Sequence, residues 1–351
     1  MEGKNKILVN LCDLANPTCG FGQIALNYGR QFSENSKDVH FIFLVPDNSW
    51  CSFGEDVDYV VIQGFLHKCF PFLLPKADVW HSVNQQQKLL RLSSDTKFVF
   101  TIHDLNFLVE KKPSKAKSKL AKIQRFVDKA KVITTISHYV ADDIRKNLDL
   151  KGKEVRVIYN GVERIDDLQG EKPGFASNRP FFFTIGQIRE KKNFHVLLDV
   201  MHSFPNYDLY ICGDDHFDYA QLIRDQIHEK KLTNVFLTGK ISQNEKVWLY
   251  KNCEAFLFPS RVEGFGLPVI EAMQFGKAVF SSDCSSLPEV CGGHAVMWNN
   301  FKPEYMVQSI RNNLPGFYDN KERIAQMREY ANSFSYEKHI QGYLDLYKEL
   351  L

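Results

Sequence analysis

Apolar residues in this chain of 351 residues come in short runs, and most runs are followed by a longer stretch in which apolar positions recur every three or four residues. The short runs, rich in Val, Ile and Phe, read as strands covered on both faces, and the longer stretches read as amphipathic helices. Their alternation is the pattern of parallel sheets built from βαβ units. Strands are predicted at residues 7–11, 39–45, 59–62, 79–81, 98–102, 132–136 and 155–158, and a second set at 181–185, 209–212, 235–237, 255–258, 278–281 and 295–297. Between the two sets the chain turns polar over 163–179 and carries Gly170, Pro173 and Gly174, with Pro180 following. That composition marks an interdomain linker. The expected fold class is therefore α/β, with one doubly wound parallel-sheet domain over 1–165 and a second over 178–335. At the end of the chain Ile340, Tyr343, Leu344, Leu346, Tyr347 and Leu350 repeat at helical spacing, so 336–351 is expected to dock as an amphipathic helix.

Composition narrows the class. A chain this long exceeds one ordinary core, which agrees with two domains. The formal net charge is only +2, so no global field points to nucleic acid, and a basic patch has to be local. Eight cysteines are scattered without a C-x-x-C pair. They fit free thiols in a reducing cytoplasm better than a disulfide scaffold or a zinc site. With no apolar leader and no run of about 18 apolar residues to span a bilayer, the expectation is a cytoplasmic protein, at most peripheral to the inner face of a membrane. The local basic patch lies between Lys111 and Lys131, where nine cations face the single acid Asp128 and Leu120, Ile123, Phe126 and Val127 supply an apolar side. A solvated helix face explains it, and so does a helix resting on anionic lipid.

In open α/β sheets ligands bind beyond the carboxyl ends of the strands, so the residues just after each run carry the candidate chemistry. Near the start, Gly20 and Gly22 belong to Cys19-Gly-Phe-Gly-Gln-Ile-Ala25, which matches a G-x-G-x-x-A dinucleotide fingerprint. The intervening residues 13–19 make the loop too long for that tight turn, which leaves two readings: a flexible glycine loop approaching a phosphate or sugar, or glycines needed for a turn before the helix. His103 and Asp104 follow the strand at 98–102. The histidine serves either a structural hydrogen bond or a ligand, and Asp104 either orients the imidazole or caps the next segment. After the strand at 181–185 come Arg189, Lys191 and Lys192, placed where a diphosphate could be neutralised. Lys240 and Ile241 follow a glycine at another strand end. The pair Asp56 and Asp58 has metal-binding spacing but lies at the wrong end of its strand and reads as structural. The most informative stretch runs from Pro259 to Met273. A buried strand breaks into a loop holding Glu263, Gly264, Phe265, Gly266 and Leu267, and Pro268 opens a helix whose first turn is expected to include Glu271. Amides at such a helix start suit a phosphate or a sugar hydroxyl.

Together these residues resemble the retaining, metal-independent GT-B glycosyltransferases of the glycogen synthase and phosphatidylinositol mannosyltransferase type, which pair two Rossmann-like domains across a cleft. The most specific part is the E-x7-E pattern of Glu263 and Glu271, and Tyr159-Asn-Gly-Val162, Leu287-Pro-Glu-Val290 and Phe334-Ser-Tyr-Glu337 resemble family sequence as well. The resemblance implies a nucleotide-sugar donor, a saccharide or lipid-linked acceptor on the N-terminal side, a C-terminal helix packed back on that domain, and no cofactor or metal. It implies that Glu271 holds the ribose and Glu263 faces the sugar near the reacting carbon. His103 would bind the sugar, Gly20 and Gly22 would close over the phosphate, and Lys192 with the amides of residues 264–267 would stabilise the departing diphosphate. Gln187 stands where many members have arginine, so the diphosphate charge falls to Arg189, Lys191 or Lys192. The Lys-Lys-Asn ending at 191–193 favours GDP-mannose, with UDP-hexose as the alternative. A GT-B epimerase or a non-catalytic nucleotide-binding protein is the rival reading.

Overall fold

A computed structural model describes residues 5–17, 20–35 and 39–351. The chain divides into two compact units, one reaching to Gly161 and completed by Tyr336–Leu351, the other comprising Val162–Ser335. In the first unit the strands are β1 (Lys6–Asn10), β2 (His40–Val45), β3 (Asp58–Val61), β4 (Val79–Ser82), β5 (Lys97–Ile102), β6 (Val132–Thr135) and β7 (Glu154–Val157), in the order β3-β2-β1-β4-β5-β6-β7. The second has β8 (Phe181–Ile185), β9 (Asp208–Cys212), β10 (Val235–Gly239), β11 (Ala255–Phe258), β12 (Ala278–Ser282) and β13 (Val296–Trp298), in the order β10-β9-β8-β11-β12-β13. Neighbouring strands pair in parallel throughout, as in β1 with β2 and β4, and β11 with β8 and β12.

The strands form where the apolar runs lie because helices cover both faces of each sheet. Every residue of β2, β4, β9, β11 and β12 is buried, so these strands show continuous apolar runs instead of alternation. Strand ends differ from the expected ones by one or two residues, mostly where hydrogen-bonded pairing continues past the apolar run, as in β10 out to Gly239.

Two expectations are corrected. The polar segment 163–179 is irregular but packs within the second unit. Ile165 is fully buried, Asp166 is an ion-pair partner of Arg328, and the Ser177 hydroxyl donates to Asp208 at 2.6 Å. Gly20 and Gly22 lie in the first turn of the helix Gly20–Glu34 and not in a loop. Gly22 answers to a close approach: a Cβ there would fall 2.0 Å from the Asn16 carbonyl oxygen. Cys19 lies outside the described residues.

The helix Tyr336–Leu350 completes the first unit, burying Ile340, Tyr343, Leu344, Leu346 and Tyr347 in a core shared with the helix Gly20–Glu34 and strands β1 and β2. Polar groups are embedded in this interface. His339 donates through Nδ1 to the Tyr159 carbonyl at 2.5 Å, which leaves Nε2 to accept from the Tyr28 hydroxyl at 2.7 Å. His81 bridges the Tyr347 hydroxyl, 2.6 Å away, and the Thr101 hydroxyl, 2.7 Å away. Burial lowers the pKa of both rings, that of His339 to about 4.

Both histidines are thus neutral in the fold and readily charged in the unfolded chain. Below the ordinary value of about 6.5 the unfolded chain binds protons that the fold refuses, so stability falls as pH drops toward 4. Thermal melts from pH 8 to 4 should show the midpoint constant above pH 7 and declining below 6.5. A His339→Gln variant should be less stable at pH 8 and lose less on acidification.

Candidate functional site

In the second unit, β8 and β11 are neighbours, and the segments leaving their carboxyl ends are stitched together. The first makes a short turn, Glu190–Lys192, closed by Asn193 in a left-handed conformation at φ 59°. The Lys191 carbonyl accepts from the Arg261 amide at 2.8 Å. That turn directs Lys192 inward, where its Nζ lies 2.5 Å from Glu263 Oε1 and 4.8 Å from the centre of the Phe258 ring. The same Oε1 accepts from the Ser260 hydroxyl at 2.6 Å, and the Glu263 amide donates to Ser285 Oγ at 2.9 Å. Lys192 and Glu263 are both about nine-tenths buried. With Oε1 engaged twice, Glu263 Oε2 and the remaining ammonium hydrogens of Lys192 stay available to a ligand.

The helix Leu267–Gln274 begins at Gly266, whose φ of 119° suits glycine, and a Cβ there would fall 2.7 Å from Leu287 Cδ2. The Ser286 hydroxyl anchors the loop before it, 2.8 Å from the Phe265 carbonyl. Leu267 takes the first helical position and Pro268 the second. Glu271, expected in the first turn, is the fifth residue and lies beyond it, so the dipole is not what holds it. Its partners come from the helix Gln243–Asn252: Lys246 Nζ lies 2.9 Å from Oε1 and the Tyr250 hydroxyl 2.9 Å from Oε2. Burial, then the Glu271 charge, pushes the Tyr250 pKa well up, so the hydroxyl keeps its proton and donates. The glutamate uses two of its roughly four acceptor directions, leaving two for paired hydroxyls.

The remaining cations are divided. Arg189 stacks on the Phe217 ring at 4.3 Å. Lys240 is exposed and 3.6 Å from Asp214, whose carbonyl accepts from the Ile188 amide, while Ile241 is half-buried beside it. Asp214 and Lys240 thereby join the segments after β9 and β10 to the one after β8.

In the first unit His103 is buried at the end of β5. Its Nε2 donates to the Val83 carbonyl at 2.8 Å, leaving Nδ1 as the acceptor, and the Phe21 ring meets it edge-on at 5.1 Å. Burial lowers its pKa, with the Val83 carbonyl and the charges of Asp104 and Asp13 partly opposing. Asp104 does not orient the imidazole; its carboxylate accepts from the Asn106 amide at 3.0 Å, a local turn that leads into the helix Phe107–Glu110 without capping its amides. Asp58 pairs with His40 at 2.7 Å, a structural contact at the start of β3. The basic segment forms the helix Pro113–Val127. Among the described residues no group of three or more His, Cys, Asp or Glu side chains is placed to hold a metal ion.

The sequence reading did not single out several groups that build these surroundings. Asp13 Oδ2 accepts from Asn84 at 2.6 Å and Gln87 at 2.9 Å, and Gln85 Oε1 accepts from the His103 amide at 3.1 Å. The run of four amide side chains at 84–87, one residue beyond the end of β4, was a usable signal. Lys246 and Tyr250 could be found from their spacing of four on one helix face. Nothing in the pattern distinguishes Ser260, Ser285 or Ser286.

The Lys192–Glu263 pair has a stability consequence. Glu263→Leu leaves a nearly buried ammonium without its partner and should lower the unfolding free energy by about 3 kcal/mol in urea titrations, whereas Lys192→Met with Glu263→Leu should recover most of the loss. An unchanged single variant would mean that water screens the pair.

Comparison with known proteins places these features. Residues 166–334 match the family described as glycosyl transferases group 1, and residues 62–164 match glycosyltransferase family 4. The serotype-specific mannosyltransferase WbdA of Escherichia coli is 28% identical over 239 residues, covering 61% of this chain and 28% of that protein. The O-antigen chain mannosyltransferase RfbU of Salmonella typhimurium is 30% identical over 189 residues, covering 53% of this chain and 52% of that one. The matches thus span between about a quarter and a half of these relatives' own length. Among solved structures, the sucrose-phosphate synthase of Thermosynechococcus elongatus superposes with a TM-score of 0.76 at 16% identity, covering 99% of both chains. Anabaena HepE, in complex with UDP and glucose, gives 0.73 at 16% identity, covering 98% of this chain and 100% of its own. With two parallel-sheet α/β units and family matches along both, the chain belongs to the group 1 glycosyltransferases and has the GT-B fold.

Proposed function

We propose that this protein is a retaining hexosyltransferase that needs no divalent metal and moves a hexose from a nucleotide-sugar to a saccharide or lipid-linked saccharide acceptor in polysaccharide or glycolipid synthesis. The observation that carries the reading is the pairing of two differently held glutamates around one helix start: Glu263 with Lys192, and Glu271 with Lys246 and Tyr250. Glu271, with two acceptor directions left, suits the two hydroxyls of a ribose. Lys192, Lys191, Arg189 and the amides of Gly264 to Leu267 are assigned to the diphosphate, where negative charge grows as the glycosidic bond breaks. The main-chain contacts of Lys240 and Ile241 are assigned to the base.

Glu263 is a poor candidate nucleophile, because Oε1 is already bonded to an ammonium and a hydroxyl. Its free oxygen suits a sugar hydroxyl instead. Transfer is therefore assigned to the front face, with the leaving phosphate taking the acceptor proton. In the first unit the neutral ring of His103 presents an acceptor nitrogen, and a contact with the sugar is assigned to it. Gly20 and Gly22 are assigned to the phosphate through the start of their helix. The mannosyltransferase names of two relatives and the Lys-Lys-Asn sequence favour GDP-mannose, while the UDP and glucose of HepE keep UDP-hexose as the runner-up.

A thermal-shift series with GDP-mannose, UDP-glucose, UDP-galactose and UDP-N-acetylglucosamine should identify one stabilising donor, and Glu271→Ala should abolish that shift. His103→Ala should keep the shift and lose at least about a hundredfold in turnover. Chelation of divalent metal should leave turnover intact, and proton NMR of the product should show the donor's anomeric configuration. Donor binding without transfer or hydrolysis would favour a non-catalytic nucleotide binder, and a changed sugar on the recovered nucleotide would favour an epimerase.

A further inference from the structure

Between β3 and β4 the chain does something unusual with its apolar residues. A short helix, Gly64–Cys69, and a turn, Pro71–Leu73, are fastened from below by His67, whose Nδ1 accepts from the Gln63 amide at 3.2 Å, and by the fully buried Leu74. What lies between projects outward: Phe65 is 79% exposed, Phe72 65%, Leu73 48%, Phe70 45% and Leu66 38%. Isolated apolar side chains on a surface need no explanation, but five within nine residues, with the Phe70 and Phe72 rings 5.8 Å apart, concentrate apolar surface in the way that marks an interaction site. Taking about 200 Å² for a side chain of this size, these exposures amount to roughly 500 Å² of apolar surface.

Charge identifies the partner. From residue 62 to 77 there is no acidic residue; Lys68 lies between Phe65 and Phe70 and Lys76 follows Phe72, both exposed. The same holds for the helix Pro113–Val127 and its two preceding residues, which contain no acid and expose Lys111, Lys112, Lys115, Lys117, Lys122 and Arg125. Topology puts both segments in one layer. Crossovers between parallel strands are right-handed, so connections running in the same direction across a sheet lie on the same face. The link from β3 to β4 and the link from β5 to β6 both run toward the β7 edge. One face of the first unit therefore carries protruding aromatic side chains and a cationic helix.

We propose that this face docks on the anionic headgroup surface of a lipid bilayer, with Phe65 and Phe72 entering the interface and the basic helix Pro113–Val127 held by the headgroup charge. Aromatic side chains with basic neighbours are the composition of such interfacial anchors. A second copy of the chain fits less well, because a stable dimer buries about 800 Å² on each partner and would set lysine against lysine. Among the described residues no helix is long and apolar enough to cross a membrane.

The test is co-sedimentation of the purified protein with sucrose-loaded vesicles, either of phosphatidylcholine alone or with about a third phosphatidylglycerol. Partition onto the anionic vesicles should exceed that onto neutral ones by about tenfold or more, fall with added salt, and drop by a similar factor in Phe65→Ser with Phe72→Ser. These side chains lie outside the core, so the double variant should melt with the wild type. Phe65→Trp gives an independent reading: its added fluorescence should shift to the blue on anionic vesicles. Absence of sedimentation, equal partition of the double variant, or an unshifted signal from the introduced indole would each overturn the proposal. So would a wild-type dimer in light scattering that the double variant dissolves, which would assign the patch to self-association.

Discussion

Two opposite charges 2.5 Å apart and almost out of water govern the architecture of the second unit's carboxyl-end loops. Removing an ammonium and a carboxylate from water costs several kcal/mol each, and mutual attraction offsets this only when other groups complete the shell. Around Lys192 and Glu263 that shell is specific: the Ser260 hydroxyl on Oε1, the Phe258 ring beside Nζ, and Ser285 on the Glu263 amide. The ion pair and the Phe258 ring tie the segment after β8 to β11 and the loop beyond it, Ser260 braces that loop internally, and Ser285 ties it to the residues before the helix Leu287–Cys291. The geometry of the Glu190–Lys192 turn, including the left-handed Asn193, follows from the need to bring a long cation inward from a strand end.

Glu271 meets the same desolvation problem by another route. It sits one turn into its helix, where the dipole has faded, so it relies on Lys246 and Tyr250 projecting from a neighbouring helix at a spacing of four. That neighbour is fixed by a reciprocal cap, Ser242 with Glu245, which sets where the two side chains fall. On the proposed reading the two glutamates differ in what a ligand must displace. Glu271 can take on hydroxyls while keeping both partners, whereas a diphosphate has to share the Lys192 ammonium with Glu263. Nucleotide binding and activation of the sugar are then linked through one lysine.

The strands were legible because a sheet covered on both faces demands apolar runs, and such runs stand out between polar segments. The glutamate pair and the cationic loop were legible because they are close in sequence. Two kinds of feature were not. Gly20 and Gly22 suggested a loop because glycine usually signals backbone freedom, but Gly22 is demanded by the Asn16 carbonyl passing over the helix, a contact that no local pattern reveals. Residues 163–179 read as a linker from their prolines and glycines, yet the burial of Ile165 depends on packing that composition does not encode. Ser260, Ser285 and Lys246 matter through partners 3 to 25 positions away, and only the folded chain pairs them.

The same contrast explains why the first unit keeps a polar network inside its apolar core. The chain leaves this unit at Gly161 and rejoins it at Tyr336, so the helix Tyr336–Leu350 has to find its seat from a distance of 175 residues. Its buried face is mostly Tyr and Leu, and such a face could slide by a turn along the helix Gly20–Glu34 with modest loss of apolar contact. Hydrogen bonds do not slide. His339 reaches the Tyr159 carbonyl and the Tyr28 hydroxyl, and Tyr347 meets His81, in one register alone. Any other would strand these groups without partners at about 1–3 kcal/mol apiece. At the point of return the Tyr336 ring lies against Gly161, where a Cβ would fall 2.5 Å from it, so exit and re-entry are packed together as well. The acid sensitivity of two neutral histidines is thus the consequence of using polar groups to give a distant helix a single seat.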